Sequence, residues 1–373
     1  MTTDTRVDVP PGPRPEPPRI AGTAPSVLSR ILRSQHIGAI AAIVGLLCIN
    51  VIKDPGYLSI TYSSSTGAFV GNLVDIARAM APLLMIATGM CLVIATGGID
   101  LSVGSMMAVG GAVAMEYLSN ANAPNSIGAA ALAILLAVAL CAVLGTINGV
   151  LIAVVGLQPF ITTLVMMLAG RGLAKVITGG QNTTAVNERY RWIANGYVLG
   201  LPVVFLSAVA IAALVALIIR RSALGMMIES LGINAEASRL AGLNRRALLI
   251  TVYMASAFLA GIAGIFSTGT VMTVDVSQTG YQFELDAILA VVIGGTSLAG
   301  GKFSLAGAAI GALLIATLDK TVVFLGVPAS ATPAFKAAVI IVLYVAQSSR
   351  ARGWVTALRR RSRPRPAREA VTS

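Results

Sequence analysis

Long apolar runs, separated by short polar or glycine-rich stretches, dominate the sequence and restrict the folds that it can adopt. About ten runs approach the roughly 20 residues with which an α-helix crosses a bilayer. Only 11% of the residues are charged, against about 25% in a soluble domain. The sequence therefore predicts an all-α, polytopic membrane protein. The predicted spans are residues 37–53, 79–96, 103–118, 127–155, 159–178, 198–219, 247–269, 285–299, 304–319 and 334–349.

Some of these spans are expected to be irregular. The eighth and ninth are short, and the fourth is long enough to tilt or kink. Small residues let helix backbones approach closely in lipid. The GxxxG spacing of Gly145 with Gly149, and of Gly307 with Gly311, therefore predicts a tightly packed bundle.

The basic residues predict the orientation of the chain. Of the 27 Lys and Arg, five precede residue 36, eight follow residue 349 and five lie in residues 220–246. Such clusters collect on the cytoplasmic side of membranes, beside anionic lipid heads. If the first cluster is cytoplasmic, the six spans that follow it bring residues 220–246 back to the cytoplasmic side. The remaining four spans bring the third cluster, after residue 349, to the same side. We therefore expect both termini in the cytoplasm, and we attribute the net charge of +12 to contact with the lipid bilayer rather than with nucleic acid.

The same features divide the chain into three parts. Residues 1–35 contain seven of the 16 prolines and lack the apolar core of a signal peptide, which predicts a disordered cytoplasmic tail. Residues 36–349 form the predicted transmembrane domain, and residues 350–373 form a basic cytoplasmic tail. The three cysteines lie in apolar runs and His36 is the single histidine, so we expect no metal, no cofactor and no catalytic site.

Two glycine-rich motifs interrupt the spans. The first glycine break, residues 95–105, reads ATGGIDLSVGS, and we expect Asp100 to cap the helix that follows. The second glycine break, residues 294–302, reads GGTSLAGGK. Backbone that leaves a helix at membrane depth is tolerated where it lines a cavity or is buried in protein. Both breaks are thus candidate walls of a solute pathway, through Gly97, Gly98, Asp100, Gly294, Gly295 and Thr296.

The remaining charged residues of the spans are few. Glu284 and Asp286 are predicted to open the eighth span at the outer face, and Asp319 is predicted to lie at a membrane interface. Arg171 is expected to pair with backbone or a neighbouring helix. None of them forms the buried acidic relay typical of a carrier coupled to protons or sodium.

A polar island, residues 220–246, separates the sixth and seventh spans. It is predicted to form two short helices, 224–231 and 235–243, with Asn234 as an N-cap and Gly242 as a C-terminal stop. A short amphipathic helix of this kind can sit in a groove on another protein. The island therefore indicates a transporter that a soluble partner drives.

These motifs resemble the permease subunits of bacterial ATP-binding cassette (ABC) sugar importers of the ribose/xylose/galactofuranose type. The resemblance rests on the first glycine break, on residues 232–265 and on residues 285–314, and covers about residues 37–348. The ING and QPFITTL motifs support it and add Asn148 and Phe160 to the candidate pathway residues.

The resemblance implies that residues 232–243, which we call the coupling segment, dock on a cytoplasmic ATP-binding subunit. It also implies a second permease copy or paralogue and an extracytoplasmic solute-binding protein. The chain itself would perform no chemistry. The residues assigned to coupling are Gly232, Asn234, Glu236, Ala237, Arg239 and Gly242.

Two alternatives remain open at this point. An ABC permease of the same kind could carry a nucleoside or another furanose-type solute. A secondary carrier driven by an ion gradient would belong to a different class, and it would need no soluble ATPase.

Overall fold

The computed structural model describes residues 37–347, except 65, 66 and 124. This part of the chain contains thirteen α-helices. They are α1 (Ile37–Lys53), α2 (Asn72–Ala95), α3 (Val103–Ser119), α4 (Ile127–Val150), α5 (Pro159–Ile177), α6 (Glu188–Asn195), α7 (Val203–Arg221), α8 (Leu224–Ile233), α9 (Ala235–Leu240), α10 (Arg245–Val271), α11 (Phe283–Ile293), α12 (Leu305–Leu325) and α13 (Thr332–Gln347). A π-helical turn, Leu151–Val155, extends α4.

Side-chain caps fix the starts of several helices. Ser126, Asn244 and Ser304 precede α4, α10 and α12, and each accepts a hydrogen bond from the backbone N–H three residues later. Such bonds satisfy one of the N–H groups that a helix leaves free at its first turn.

The short strands lie between the helices. They pair antiparallel, β1 (Thr61–Ser63) with β2 (Ala68–Val70), β3 (Thr183–Thr184) with β6 (Thr273–Val274), and β4 (Tyr197–Val198) with β5 (Leu201–Pro202). Phe69 N donates to Gly200 O and joins the first hairpin to the third. Strands β1, β2, β3 and β6 lie in loops that the predicted orientation places on the outer side, residues 54–78, 179–197 and 269–284, whereas β4 and β5 lie at the start of the sixth predicted span.

Helix α10 lies at the centre of the bundle and packs against α2, α3 and α4. Glycines make this packing possible. A methyl group at Gly145 or Gly149 would collide with the backbone of α10, and one at Gly264 would meet the carbonyl oxygen of Met107 on α3. On the other side of the bundle, Gly311 lies against the backbone of Ala290 on α11. Both GxxxG predictions are confirmed, because small residues let these backbones touch.

All ten predicted spans contain a helix, which confirms the all-α, polytopic class. Six described helices are long and apolar enough to cross a bilayer: α2, α4 with its π-helical turn, α5, α7, α10 and α12. The sequence placed some limits wrongly. Helix α2 starts at Asn72 rather than residue 79, and α12 continues to Leu325 rather than residue 319.

The eighth predicted span is longer than the helix found there. It was expected to reach residue 299, but α11 ends at Ile293. Its 11 residues extend about 16 Å, roughly half of the ~30 Å apolar layer. Gly295, with φ +94°, takes the chain out of the helix. The predicted tails, residues 1–35 and 350–373, lie outside the described residues.

Candidate coupling and translocation site

The coupling segment begins at the end of α8 and contains α9. The Asn234 side-chain oxygen accepts hydrogen bonds from the N–H groups of Glu236 (3.0 Å) and Ala237 (2.9 Å), so the predicted N-cap is confirmed. Gly242 has φ +83° and ends the segment as predicted. The predicted helix limits were wrong, since α8 continues to Ile233 and α9 already ends at Leu240.

Helix α9 presents charged and apolar groups together. Arg239 Nη2 lies 2.6 Å from Glu236 Oε1, and both side chains are exposed. The hydrogen bond and positive charge of Arg239 hold the pKa of the Glu236 carboxyl below its ordinary value, so the pair is ionised at neutral pH. Leu240 and Ile233 are also exposed, at 76% and 69%. This mixture of ionised and apolar side chains suits a protein interface.

Backbone contacts join the coupling segment to both glycine breaks. Gly301 N donates to Ala95 O at 2.9 Å, which links the second break to the first. Gly232 fits between these same two groups, because a methyl group there would collide with Ala95 O and Gly301 N. Gly300 lies against Gly232 O and Gly97. We call this three-way contact the glycine junction.

Asp100 anchors the first break inside the bundle. Its Oδ1 accepts from Ser102 N (3.0 Å) and Ser102 Oγ (2.6 Å), and its Oδ2 accepts from Ser256 Oγ on α10 (2.9 Å). Asn148 Nδ2 on α4 donates to Ser102 Oγ (3.0 Å). Asp100 is fully buried. The prediction that Asp100 itself caps α3 is wrong, because Ser102 precedes the helix and the carboxylate binds Ser102.

The second glycine break lies between α11 and α12. A methyl group at Gly294 would collide with the backbone of Gly307, so this glycine is required by helix packing. Thr296 is buried, its Oγ1 accepts from Ser304 N (3.2 Å), and Cys91 Sγ on α2 lies 3.6 Å away. These contacts fix the break against α2 and α12.

The structure separates the eight candidate pathway residues into three groups. Gly97 and Gly98 line a cavity of 230 Å³, and Asp100 and Asn148 belong to the buried network beside it. Gly294, Gly295 and Thr296 belong to the second break. Phe160 is 48% exposed in the first turn of α5 and touches none of these hydrogen bonds.

A charged cluster joins Asp286 and Asp319, which were not predicted to be in contact, through Lys336. Lys336 Nζ on α13 lies 2.9 Å from Asp286 Oδ2 on α11 and 2.8 Å from Asp319 Oδ1 on α12. Lys336 and Asp286 are mostly buried, with 17% and 16% of their side chains exposed. Arg171, as expected, binds backbone, donating to Thr279 O. The cluster holds the α11–α12–α13 corner together, a role that the sequence alone does not reveal.

A polytopic helical bundle with two glycine breaks and a capped, exposed coupling segment defines a class of protein, the transmembrane subunit of a transporter. Comparison with known families agrees. The model of the family described as "Branched-chain amino acid transport system / permease component" matches residues 72–344, and the chain belongs to this family. Within it, the chain is a permease of an ABC sugar importer of the ribose/galactofuranose type, in a bacterial inner membrane.

Three relatives are named as sugar permeases. The chain is 52% identical to the fructose import permease protein FruF of Bifidobacterium longum over 325 residues, 86% of this chain and 90% of that protein. It is 38% identical to the galactofuranose transporter permease protein YtfT of Escherichia coli over 313 residues (83% and 89%). It is 39% identical to the ribose import permease protein RbsC of E. coli over 284 residues (73% and 84%). No solved structure matches the chain.

Proposed function

We propose that this chain forms the translocation pathway of an importer in which ATP hydrolysis on a separate cytoplasmic subunit drives a monosaccharide across the membrane. The ATP-binding subunit docks on the coupling segment. Two permease copies, or this chain and a paralogue, enclose the pathway, and an extracytoplasmic binding protein delivers the sugar. Both termini lie in the cytoplasm. The chain itself binds no nucleotide and performs no chemistry.

The glycine junction is the observation that carries this proposal. Helix α9 is exposed and fixed by its Asn234 cap, so that a partner can push on it as a unit. Gly232 then contacts Ala95 and Gly301 without any intervening side chain. A displacement of the coupling segment is therefore transmitted directly to both breaks, which line or support the pathway.

Fructose is the first candidate for the transported sugar. The relative with 52% identity is named as a fructose permease, whereas those at 38% and 39% are named for galactofuranose and ribose. All three are small, uncharged monosaccharides that can form furanose rings. A nucleoside, which also contains a furanose ring, remains the alternative solute.

An ion-coupled carrier is the alternative mechanism. The Asp286–Lys336–Asp319 cluster is the part of the described chain that favours it, since intramembrane charges mark proton paths in many carriers. Here, however, Lys336 pairs with both acids, and such compensation suits a structural ion pair. We therefore prefer the ATP-driven mechanism.

Uptake by the reconstituted complex tests the proposal. The permease, its ATP-binding subunit and its binding protein are assembled in proteoliposomes with labelled fructose, with and without ATP, and an inactive ATP-binding subunit serves as the control. We expect uptake that requires ATP and binding protein, persists with an uncoupler and is not competed by nucleosides. Uptake driven by a proton or sodium gradient without ATP would overturn the mechanism.

A further inference from the structure

A cavity of 230 Å³ lies beside the first glycine break, next to the coupling segment. Its polar lining comes from Thr96, Tyr253 and Arg245, together with the backbone at Gly97 and Gly98. The other lining residues are apolar, such as Leu249. We call this cavity the exit pocket.

One hydroxyl group in the exit pocket lacks a partner. Tyr253 is completely buried, and among the described residues its Oη has no hydrogen-bond partner. Buried hydroxyl groups normally have one, because desolvation without a replacement bond is unfavourable. Gly98 lies directly against this oxygen, since a methyl group there would collide with Tyr253 Oη. Gly98 and Tyr253 both line the pocket, so the unpartnered hydroxyl lies beside its wall.

The chemistry of the lining selects the kind of ligand. Tyr253 can both donate and accept, Thr96 Oγ1 donates to Val93 O and keeps its acceptor capacity, and Arg245 donates. No carboxylate among the described residues lines the pocket, so this lining does not suit a metal ion. The volume is that of seven to eight water molecules at about 30 Å³ each, and apolar walls suit the C–H faces of a sugar ring.

We propose that the exit pocket is a binding subsite for the transported sugar on the cytoplasmic side of the first glycine break, with the Tyr253 hydroxyl bonded to a sugar hydroxyl. This inference rests on the proposed function, which supplies the orientation and the solute. Leu231 and Ala235, which flank the glycine junction and belong to α8 and α9, also line the pocket. Movement of the coupling segment therefore changes the pocket and releases the sugar.

Thiol labelling can detect occupancy of the pocket. Thr96→Cys is introduced into a chain in which the exposed Cys48 is replaced by serine; Cys91 and Cys141 are buried. The complex with its ATP-binding subunit is placed in nanodiscs without binding protein, and a small charged thiol reagent is added. We expect millimolar fructose to slow labelling at least threefold, and an untransported sugar alcohol to have no effect.

The variant Tyr253→Phe removes only the unpartnered hydroxyl. In the Thr96→Cys background it should raise the fructose concentration for half-protection about fivefold, the effect of losing one hydrogen bond, and it should leave thermal stability unchanged. Tyr190→Phe is the matched control. Its buried hydroxyl lies 3.1 Å from Thr268 Oγ1, away from the pocket, so we expect lower stability and unchanged protection.

Each opposing outcome overturns the exit pocket as a sugar subsite. The first two such outcomes are that the reagent fails to reach the introduced thiol and that labelling is equal with and without fructose. The other two are that inorganic phosphate protects the thiol instead of the sugar and that Tyr253→Phe leaves protection by fructose unchanged. Uptake by the native complex is measured in parallel. Loss of protection with normal ATP-driven uptake refutes the subsite alone, whereas absence of ATP-driven uptake refutes the proposed function.

Discussion

At the scale of single residues, Asp100 shows how a carboxyl group that is unfavourable to bury can stabilise the structure when it has enough partners. A carboxyl group inside a membrane protein needs partners, and Asp100 has three donor groups, two from Ser102 and one from Ser256. Both of its oxygens are occupied by protein. We therefore assign Asp100 to positioning the first glycine break against α10, rather than to direct contact with the solute.

Substitution of Asp100 should separate these two roles. Asp100→Ala leaves three buried donors without their acceptor and should lower the free energy of unfolding by about 2–4 kcal/mol. Asp100→Asn keeps the shape and one acceptor oxygen, so the loss should be about 1 kcal/mol, with sugar uptake retained. Stability is measured by unfolding in detergent micelles. Full stability combined with abolished uptake in Asp100→Asn would instead indicate a solute contact.

Single residues were predictable where the determinant is local. The Asn234 cap and the Gly242 stop depend on a few neighbouring residues, and both were predicted. The role of Tyr253 was not, because it depends on Gly98, which is 155 positions away in the chain. A tyrosine and a serine three residues apart, Tyr253 and Ser256, within an apolar span were the available signal that α10 has a polar face toward the break.

At the scale of helices and strands, hydrophobic run length correctly predicted a helix at all ten positions, six of which are long and apolar enough to cross a bilayer. Their ends were less predictable. The end of α11 at Ile293 depends on close packing of Gly294 against Gly307, a contact between helices. The Lys336 pairs with Asp286 and Asp319 likewise depend on which helices become neighbours. The hydrophobic periodicity of a single segment does not show which helices will pack against it.

Helix α9 offers a test of docking by charge reversal. Glu236→Arg and Arg239→Glu each destroy the ion pair, whereas the double substitution preserves a pair and reverses the charges presented to a partner. Charges at an interface help to select the partner. We therefore expect the amount of ATP-binding subunit that co-purifies with the double variant to be at least fivefold lower than with the native chain.

The matched control for this experiment is on α6, where Glu188 and Arg191 are exposed with the same spacing. Glu188→Arg combined with Arg191→Glu lies on the predicted outer side and should leave co-purification unchanged. Normal association and normal transport-linked ATP hydrolysis in the α9 double variant would remove α9 from the docking surface.

At the scale of the whole molecule, the glycine junction connects three segments that are far apart in sequence. Residue 232 lies between residues 95 and 301, so a movement of the coupling segment displaces both breaks. Packed interiors are stiff and transmit displacement. The account therefore predicts that coupling fails when the junction is loosened, even if every subunit remains bound.

Sugar uptake per ATP hydrolysed in Gly232→Ala proteoliposomes tests this claim most directly. The added methyl group collides with Ala95 O and Gly301 N and should separate the segments, whereas Gly45→Ala adds one where no atom of the described residues lies within 4 Å. We predict that Gly232→Ala retains the ATP-binding subunit and its ATPase activity but loses at least tenfold in uptake per ATP, while Gly45→Ala matches the native chain. A native ratio of uptake to hydrolysis in Gly232→Ala would contradict the account.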